Sequence, residues 1–180
     1  MKEKILIVVD MQHDFVDGPL GTPEARAIVP KIEDKIKNGG YDRVLYTFDT
    51  HYADYMDTQE GKKLPVPHCI KGTHGWSTVF DSFDIFPMFG DSIIEKNTFG
   101  YKRWPAILGH YDNAYDVKSI ELCGVCTDIC VVSNALILKA DYPEVPISVD
   151  ASCCAGTTPE NHKAALMVMK SCQIDIINEE

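Results

Sequence analysis

Basic residues are scarce in this chain: 17 Lys and Arg stand against 27 Asp and Glu, a formal net charge of −10. That balance argues against a nucleic-acid partner, which calls for a basic patch. Long apolar runs are missing as well. None approaches the roughly 20 residues of a membrane span, so no membrane partner is expected. Nor is there a small-residue cleavage site behind the first apolar segment, which follows directly on Met1-Lys2-Glu3-Lys4. No signal peptide is therefore expected, and the reading places the chain in the cytoplasm. Internal repeats and low-complexity tracts are also absent.

Cysteine, by contrast, is plentiful. Seven cysteines are an odd number, they lie in apolar runs, and no secretory signal accompanies them, all of which argues against a disulfide scaffold. Each is by default a reduced, buried, small apolar side chain, and any other role has to come from its surroundings.

The 180 residues suit one domain, 1–180, with a substantial core. Residues 4–9 are a continuous apolar run ending at Asp10, as in a strand buried on both faces of a parallel sheet. Thr22 as N-cap and Pro23 at the first helical position open a helix through Ala27, Ile28, Ile32 and Ile36, which stops at Gly39-Gly40. Residues 43–48 read as a second strand, ending at Asp49. From about 49 to 91 there is no sustained periodicity, only a density of His, Pro, Gly and aromatics. Loops of that length are uncommon in compact domains and are usually functional. A third strand over 92–95 leads into Lys96, and a helix is expected over 105–111. Strand 119–123, helix 127–140, strand 146–149 ending at Asp150, helix 158–171 and strand 173–177 complete the pattern. The alternation predicts an α/β fold: a three-layer αβα sandwich around a six-stranded, mostly parallel sheet with right-handed crossovers.

Ligands of such sheets bind beyond the carboxyl ends of the strands, where Asp10, Asp49, Lys96 and Cys130 all fall. Cys130 would lie in the first turn of the helix that follows Gly124-Val125-Cys126, where free N–H groups and the helix dipole favour a thiolate. A thiolate nucleophile needs a proton acceptor and a cation to steady the charge, and Asp10 and Lys96 supply those parts. Alone, Asp10 reads more readily as a cap and Lys96 as a solvated charge. Their convergence on one rim makes the difference. In the long loop, Asp49, His51, Glu60 and His68 offer two imidazoles and two carboxylates, a donor set for Zn²⁺, Mn²⁺ or Fe²⁺. By spacing alone this cluster also reads as ordinary loop surface. Cys69 adjoins His68 as a further donor, and His13, His74, His110 and His162 read as structural or surface residues.

In chain order, Val8-Val9-Asp10-Met11-Gln12-His13-Asp14-Phe15, Asp49-Thr50-His51, Pro67-His68-Cys69-Ile70-Lys71-Gly72-Thr73, Glu95-Lys96 with Phe99, Gly124-Val125-Cys126-Thr127-Asp128-Ile129-Cys130-Val131, and Asp150-Ala151-Ser152 with Ala155-Gly156-Thr157-Thr158-Pro159-Glu160 span nearly the whole chain. Together they resemble the isochorismatase-like cysteine hydrolases, and among these the nicotinamidases (pyrazinamidases). The resemblance implies the isochorismatase-like hydrolase fold and a triad of Asp10, Lys96 and Cys130. It implies a cis peptide between Val125 and Cys126, aiming the backbone N–H groups of Cys126 and Cys130 at an oxyanion. It further implies a divalent metal, zinc first, on Asp49, His51, Glu60 and His68, and no organic cofactor. The metal would hold the pyridine nitrogen of a small amide substrate, with Phe15 as a stacking wall and Phe99 or Tyr101 as a second. Attack of Cys130 on the amide carbon would release ammonia, and water would then hydrolyse the thioester.

Two positions depart from the nicotinamidase pattern. Pro65 stands where a tryptophan often precedes the metal histidine. The place of a third metal histidine falls to Asp54, Asp57 or Glu60. Two other readings stay open at this point: a metal-free carbamoyl or ureido amidase of the same superfamily, and a silent metal- or thiol-binding module. Assembly into a homo-oligomer is also left open.

Overall fold

A computed structural model describes residues 2–80, 93–109 and 116–179. Six strands form one sheet: β1 (Glu3–Val9), β2 (Arg43–Asp49), β3 (Ile93–Lys96), β4 (Val117–Val125), β5 (Ile147–Ala155) and β6 (Asp175–Ile177). Their order is β3-β2-β1-β4-β5-β6 and every pairing is parallel, so the expected mostly parallel sheet carries no antiparallel strand among the described residues. The chain starts at the centre of the sheet, builds outward to β3, then returns across β1 to build the other half. Ile5, Leu6, Ile7, Val8 and Val9 of the central strand are all essentially inaccessible to solvent, which is why that run is unbroken by polar residues.

The helices are α1 (His13–Val16), α2 (Pro23–Asn38), α3 (Gln59–Lys63), α4 (Trp104–Leu108), α5 (Val132–Asp141) and α6 (Pro159–Ser171). Thr22 caps α2 through its hydroxyl, which accepts the Ala25 N–H at 3.0 Å, and Thr158 caps α6 through the Asn161 N–H at 3.1 Å. Both caps are followed by proline at the first helical position, as the sequence indicates. Lys35 of α2 reaches the sheet, with its ammonium 2.6 Å from Glu121 of β4 and 2.6 Å from Asp150 of β5.

Several expectations change. The strand expected to end at Asp150 continues to Ala155, so Asp150 lies within β5, nearly fully buried, as the partner of Lys35. The helix expected over 105–111 is α4, and Tyr111 falls outside the described residues. The long loop is not without structure. A 3₁₀ turn (Tyr55–Asp57) and α3 form within it, and isolated bridges join His51 to Ile70 and Gln12 to Thr78. Its stretch 81–91 lies outside the described residues. The helix expected over 127–140 begins as a π-helical turn (Thr127–Val131) before α5 proper.

Gly124 makes the turn into that segment feasible. It pairs with Val9 across the sheet at φ +116°, and a Cβ there would meet the Val9 backbone. Only glycine takes that conformation at that separation.

Candidate active site

The sheet's carboxyl edge assembles the site. Asp10 follows β1, Asp49 and Lys96 end β2 and β3 as paired residues, and Cys130 lies in the π-turn after β4. Asp10 leaves its strand with φ +50°, a conformation Asp tolerates better than most residues. Its carboxylate is fully buried. Oδ1 accepts the Thr47 hydroxyl at 2.6 Å and Oδ2 lies 2.6 Å from Lys96 Nζ. The same ammonium is 3.6 Å from Cys130 Sγ and 3.6 Å from Asp49 Oδ1. Asp10 and Cys130, two of the three residues predicted from sequence, therefore both lie within contact range of the buried ammonium of the third, Lys96.

Burial raises the Asp10 carboxyl above its ordinary pKa, against the pull of Lys96. For Lys96, burial opposes the charge, but Asp10, Cys130 and Asp49 outweigh it and push the ammonium upward. Burial drives the Cys130 thiol well above its usual value, reinforced by Asp10 and opposed by Lys96. Desolvation thus works against the thiolate that a helix terminus would favour. The π-turn is the local cause. It places Cys130 inward, with Val131 N–H donating to Cys126 O at 3.1 Å five residues back.

The peptide between Val125 and Cys126 is cis, as the resemblance implied. Val125, Cys126 and Cys130 all line a cavity of about 700 Å³. Phe15, Glu60, His68 and Phe99 line it too, whereas Tyr101 packs edge-on against Trp104, with ring centroids 5.2 Å apart. The second aromatic at the cavity is thus Phe99.

On the opposite side of Lys96 the loop brings donors together. His51 Nε2 is 3.0 Å from Asp49 Oδ2, and His68 Nε2 is 3.5 Å from the same oxygen. Glu60 Oε1 lies 3.7 Å from His51 Nε2 and 3.8 Å from His68 Nε2. The His51–Ile70 bridge sets the two histidines side by side, and Thr58 caps α3 to hold Glu60 over them, accepting the Gly61 N–H at 3.0 Å. His68 Nδ1–H donates to Val66 O at 2.8 Å, leaving Nε2 free to bind. Ligand atoms of Asp49, His51 and His68 all lie within 4.8 Å of one another; Glu60, expected as a fourth donor, is not part of that group, although its Oε1 lies beside both imidazoles. Burial would raise Asp49, but His51, His68 and Lys96 hold its carboxyl well below the usual range. His68 is pushed up, chiefly by Asp49 against the effect of burial. The donor set of two imidazoles and a buried carboxylate fits a divalent cation.

Cys69 stands outside that cluster: it is buried, with its backbone N–H on Asp14 Oδ2 at 2.7 Å. His13 stacks on His74, with centroids 3.9 Å apart, and His162 hydrogen-bonds the Thr127 hydroxyl at 2.8 Å. His110 is outside the described residues. Sequence reasoning missed Gln12. Wholly buried, its amide donates to Asp49 O at 2.9 Å and Trp76 O at 2.8 Å, and accepts the Asp49 N–H at 2.8 Å. No periodicity marks a glutamine as buried; its place in the Asp10–Phe15 segment was the one signal.

The family model for the Isochorismatase domain matches residues 4–180. The nicotinamidase of Schizosaccharomyces pombe is 27% identical to the chain, covering 97% of it and 93% of the yeast protein. An isochorismatase family protein of Bacillus subtilis, PncA, is 31% identical over 91% of this chain and 92% of its own length. Among solved structures, the pyrazinamidase of Pyrococcus horikoshii in complex with zinc superposes with a TM-score of 0.78 at 28% identity, covering 98% of this chain and 99% of that one.

Proposed function

The chain belongs to the isochorismatase family, and from that premise we propose that it is a nicotinamidase-like cysteine amidohydrolase, converting nicotinamide or a related heteroaromatic amide to the acid and ammonia. The observation that carries the proposal is the convergence of Asp10, Lys96 and Cys130 beside a second, cation-attracting cluster. A passive binding module has no use for a buried lysine placed between the two. Relatives named nicotinamidase and pyrazinamidase support the substrate class.

In this reading the whole chain acts as one domain. Asp10 takes the Cys130 proton as Sγ attacks the amide carbon, and Lys96 keeps the carboxylate ionised until that moment. The Cys126 and Cys130 N–H groups receive the oxyanion. Asp10 returns the proton to the nitrogen, the C–N bond breaks and ammonia leaves a thioester. Asp10 then deprotonates the attacking water, and collapse of the second oxyanion expels Cys130 sulfur, which recovers its proton. Asp49, His51, Glu60 and His68 would hold the divalent ion, zinc first, and that ion would supply an anchor for the substrate's ring nitrogen. Phe15, whose ring lies 5.3 Å from His68, and Phe99 flank the ring.

Ammonia release from nicotinamide by the zinc-loaded protein tests the reading, with Cys130→Ala as the control. The variant is expected to lose turnover while keeping its metal content. Wild-type activity in Cys130→Ala would overturn the nucleophile assignment, and full activity after chelation would favour the metal-free amidase alternative.

A further inference from the structure

The chemistry just described leaves a buried amide beside the nucleophile without a role. Asn134 lies in α5, one turn beyond Cys130, with no accessible surface. Its Nδ2 donates to Cys130 O at 2.8 Å and, more weakly, to Phe99 O at 3.4 Å, while its Oδ1 accepts the Tyr101 N–H at 2.9 Å. One amide thus joins the carbonyl of the nucleophile to the segment that carries the second aromatic of the cavity.

Beyond the packing of Tyr101 on Trp104, that segment has few bonds to hold it. Residues 97–101 form no helix or strand, and the Thr98 hydroxyl bonds only within the segment, to Gly100 O at 2.8 Å. Among the described residues, the hydrogen bonds tying 97–101 to the rest of the molecule are those to Asn134. Gly100 lets the segment lie flat on α5, since a Cβ there would come 2.5 Å from Ile137 Cδ1 and 3.2 Å from the Ser133 backbone. Phe99 itself is 48% exposed while lining the cavity. A side chain so thinly packed takes its position from its backbone, and that backbone is fastened to Asn134.

We infer that Asn134 is a positioning residue: it locks the Phe99 wall to the turn that presents Cys130 and so sets the site's preference for aromatic substrates. The inference rests on the reading of Cys130 as nucleophile and Phe99 as wall. A residue that merely stabilised α5 would affect all reagents at Cys130 alike. One that fixes the wall affects those that carry a ring.

The test compares alkylation of Cys130 by iodoacetamide and by N-benzyl iodoacetamide, followed by peptide mapping so that other cysteines do not interfere. Asn134→Ala is expected to lower the benzyl-to-parent rate ratio about fivefold, the worth of one aromatic contact. Asn134→Thr keeps a hydroxyl able to bond the Cys130 carbonyl four residues back but does not reach residues 99–101. It is expected to lower the ratio equally while retaining more of the thermal stability, and it carries the test if the alanine variant fails to fold. Phe99→Ala should lower the ratio as well, and adding Asn134→Thr to it should change nothing further. A wild-type ratio in the Asn134 variants, or effects that multiply in the double variant, would overturn the inference. Failure of the wild-type protein to release ammonia from nicotinamide would sink the proposed function instead, while the alkylation ratio still decides the role of Asn134.

Discussion

At the scale of single residues, the site depends on groups that do no chemistry. Gln12 grips both the N–H and the carbonyl of Asp49 and so fixes where the shared carboxylate points. Replacing it with alanine is expected to weaken zinc binding about 10–100-fold, the usual cost of losing an outer-shell partner. Competition with a chromophoric chelator measures this, and unchanged affinity would show that Asp49 needs no such support. The residues proposed to react or ligate were legible in the sequence because each is an ionisable or nucleophilic type at a strand end or in a cluster: Asp10, Lys96 and Cys130, with Asp49, His51, Glu60 and His68. Gln12, Thr47 and Asn134 were not, because their importance lies in which backbone atoms they meet. Sequence spacing does not report that. Nor does it report desolvation, which opposes the thiolate that the helix position of Cys130 suggests.

Elements show a similar division. Apolar runs, caps and glycine pairs located the strands and the long helices, because burial on both faces and N-cap chemistry leave local marks. Strand ends were less legible. β5 runs past Asp150 because Lys35 neutralises that carboxylate inside the fold, a partner 115 positions away (150 − 35) that no window of sequence reveals. The π-turn was hidden for a related reason: one extra residue in a helical turn leaves the apolar pattern almost unchanged. Gly124 is the point where β4 gives way to that turn. Gly124→Ala is expected to cost about 2–3 kcal/mol, from a non-glycine residue at φ +116° pressed on Val9. Urea unfolding measures the loss, and a variant as stable as the wild type would show that the strand end can shift without penalty.

Across the whole molecule, the bond between α2 and the sheet is electrostatic as well as apolar. Burial opposes the Lys35 charge, but Asp150 and Glu121 outweigh it and raise its pKa. Burial likewise opposes the Asp150 charge, yet Lys35, Ser152 and Asn178 bring its pKa below the ordinary value. The Asp150 contribution to stability is therefore present above its unfolded pKa of about 4 and lost as pH falls through the lower folded value. That of Lys35 is present below about pH 10 and lost as pH rises through the higher folded value. Lys35→Met should cost about 3–5 kcal/mol near neutrality, since it strands two buried carboxylates. The gap to the wild type should narrow in acid and again in strong alkali; urea titrations across pH would reveal a constant gap if the pair does not act this way. The sheet order has a consequence for biosynthesis. β1 leaves the ribosome first, yet one of its two neighbours, β4, begins only at Val117. Until then a nascent chain carries its most apolar strand with one edge bare, an invitation to pairing with another nascent chain. Translation that stalls before β4 should yield aggregates, and holdase chaperones should be needed most over that interval.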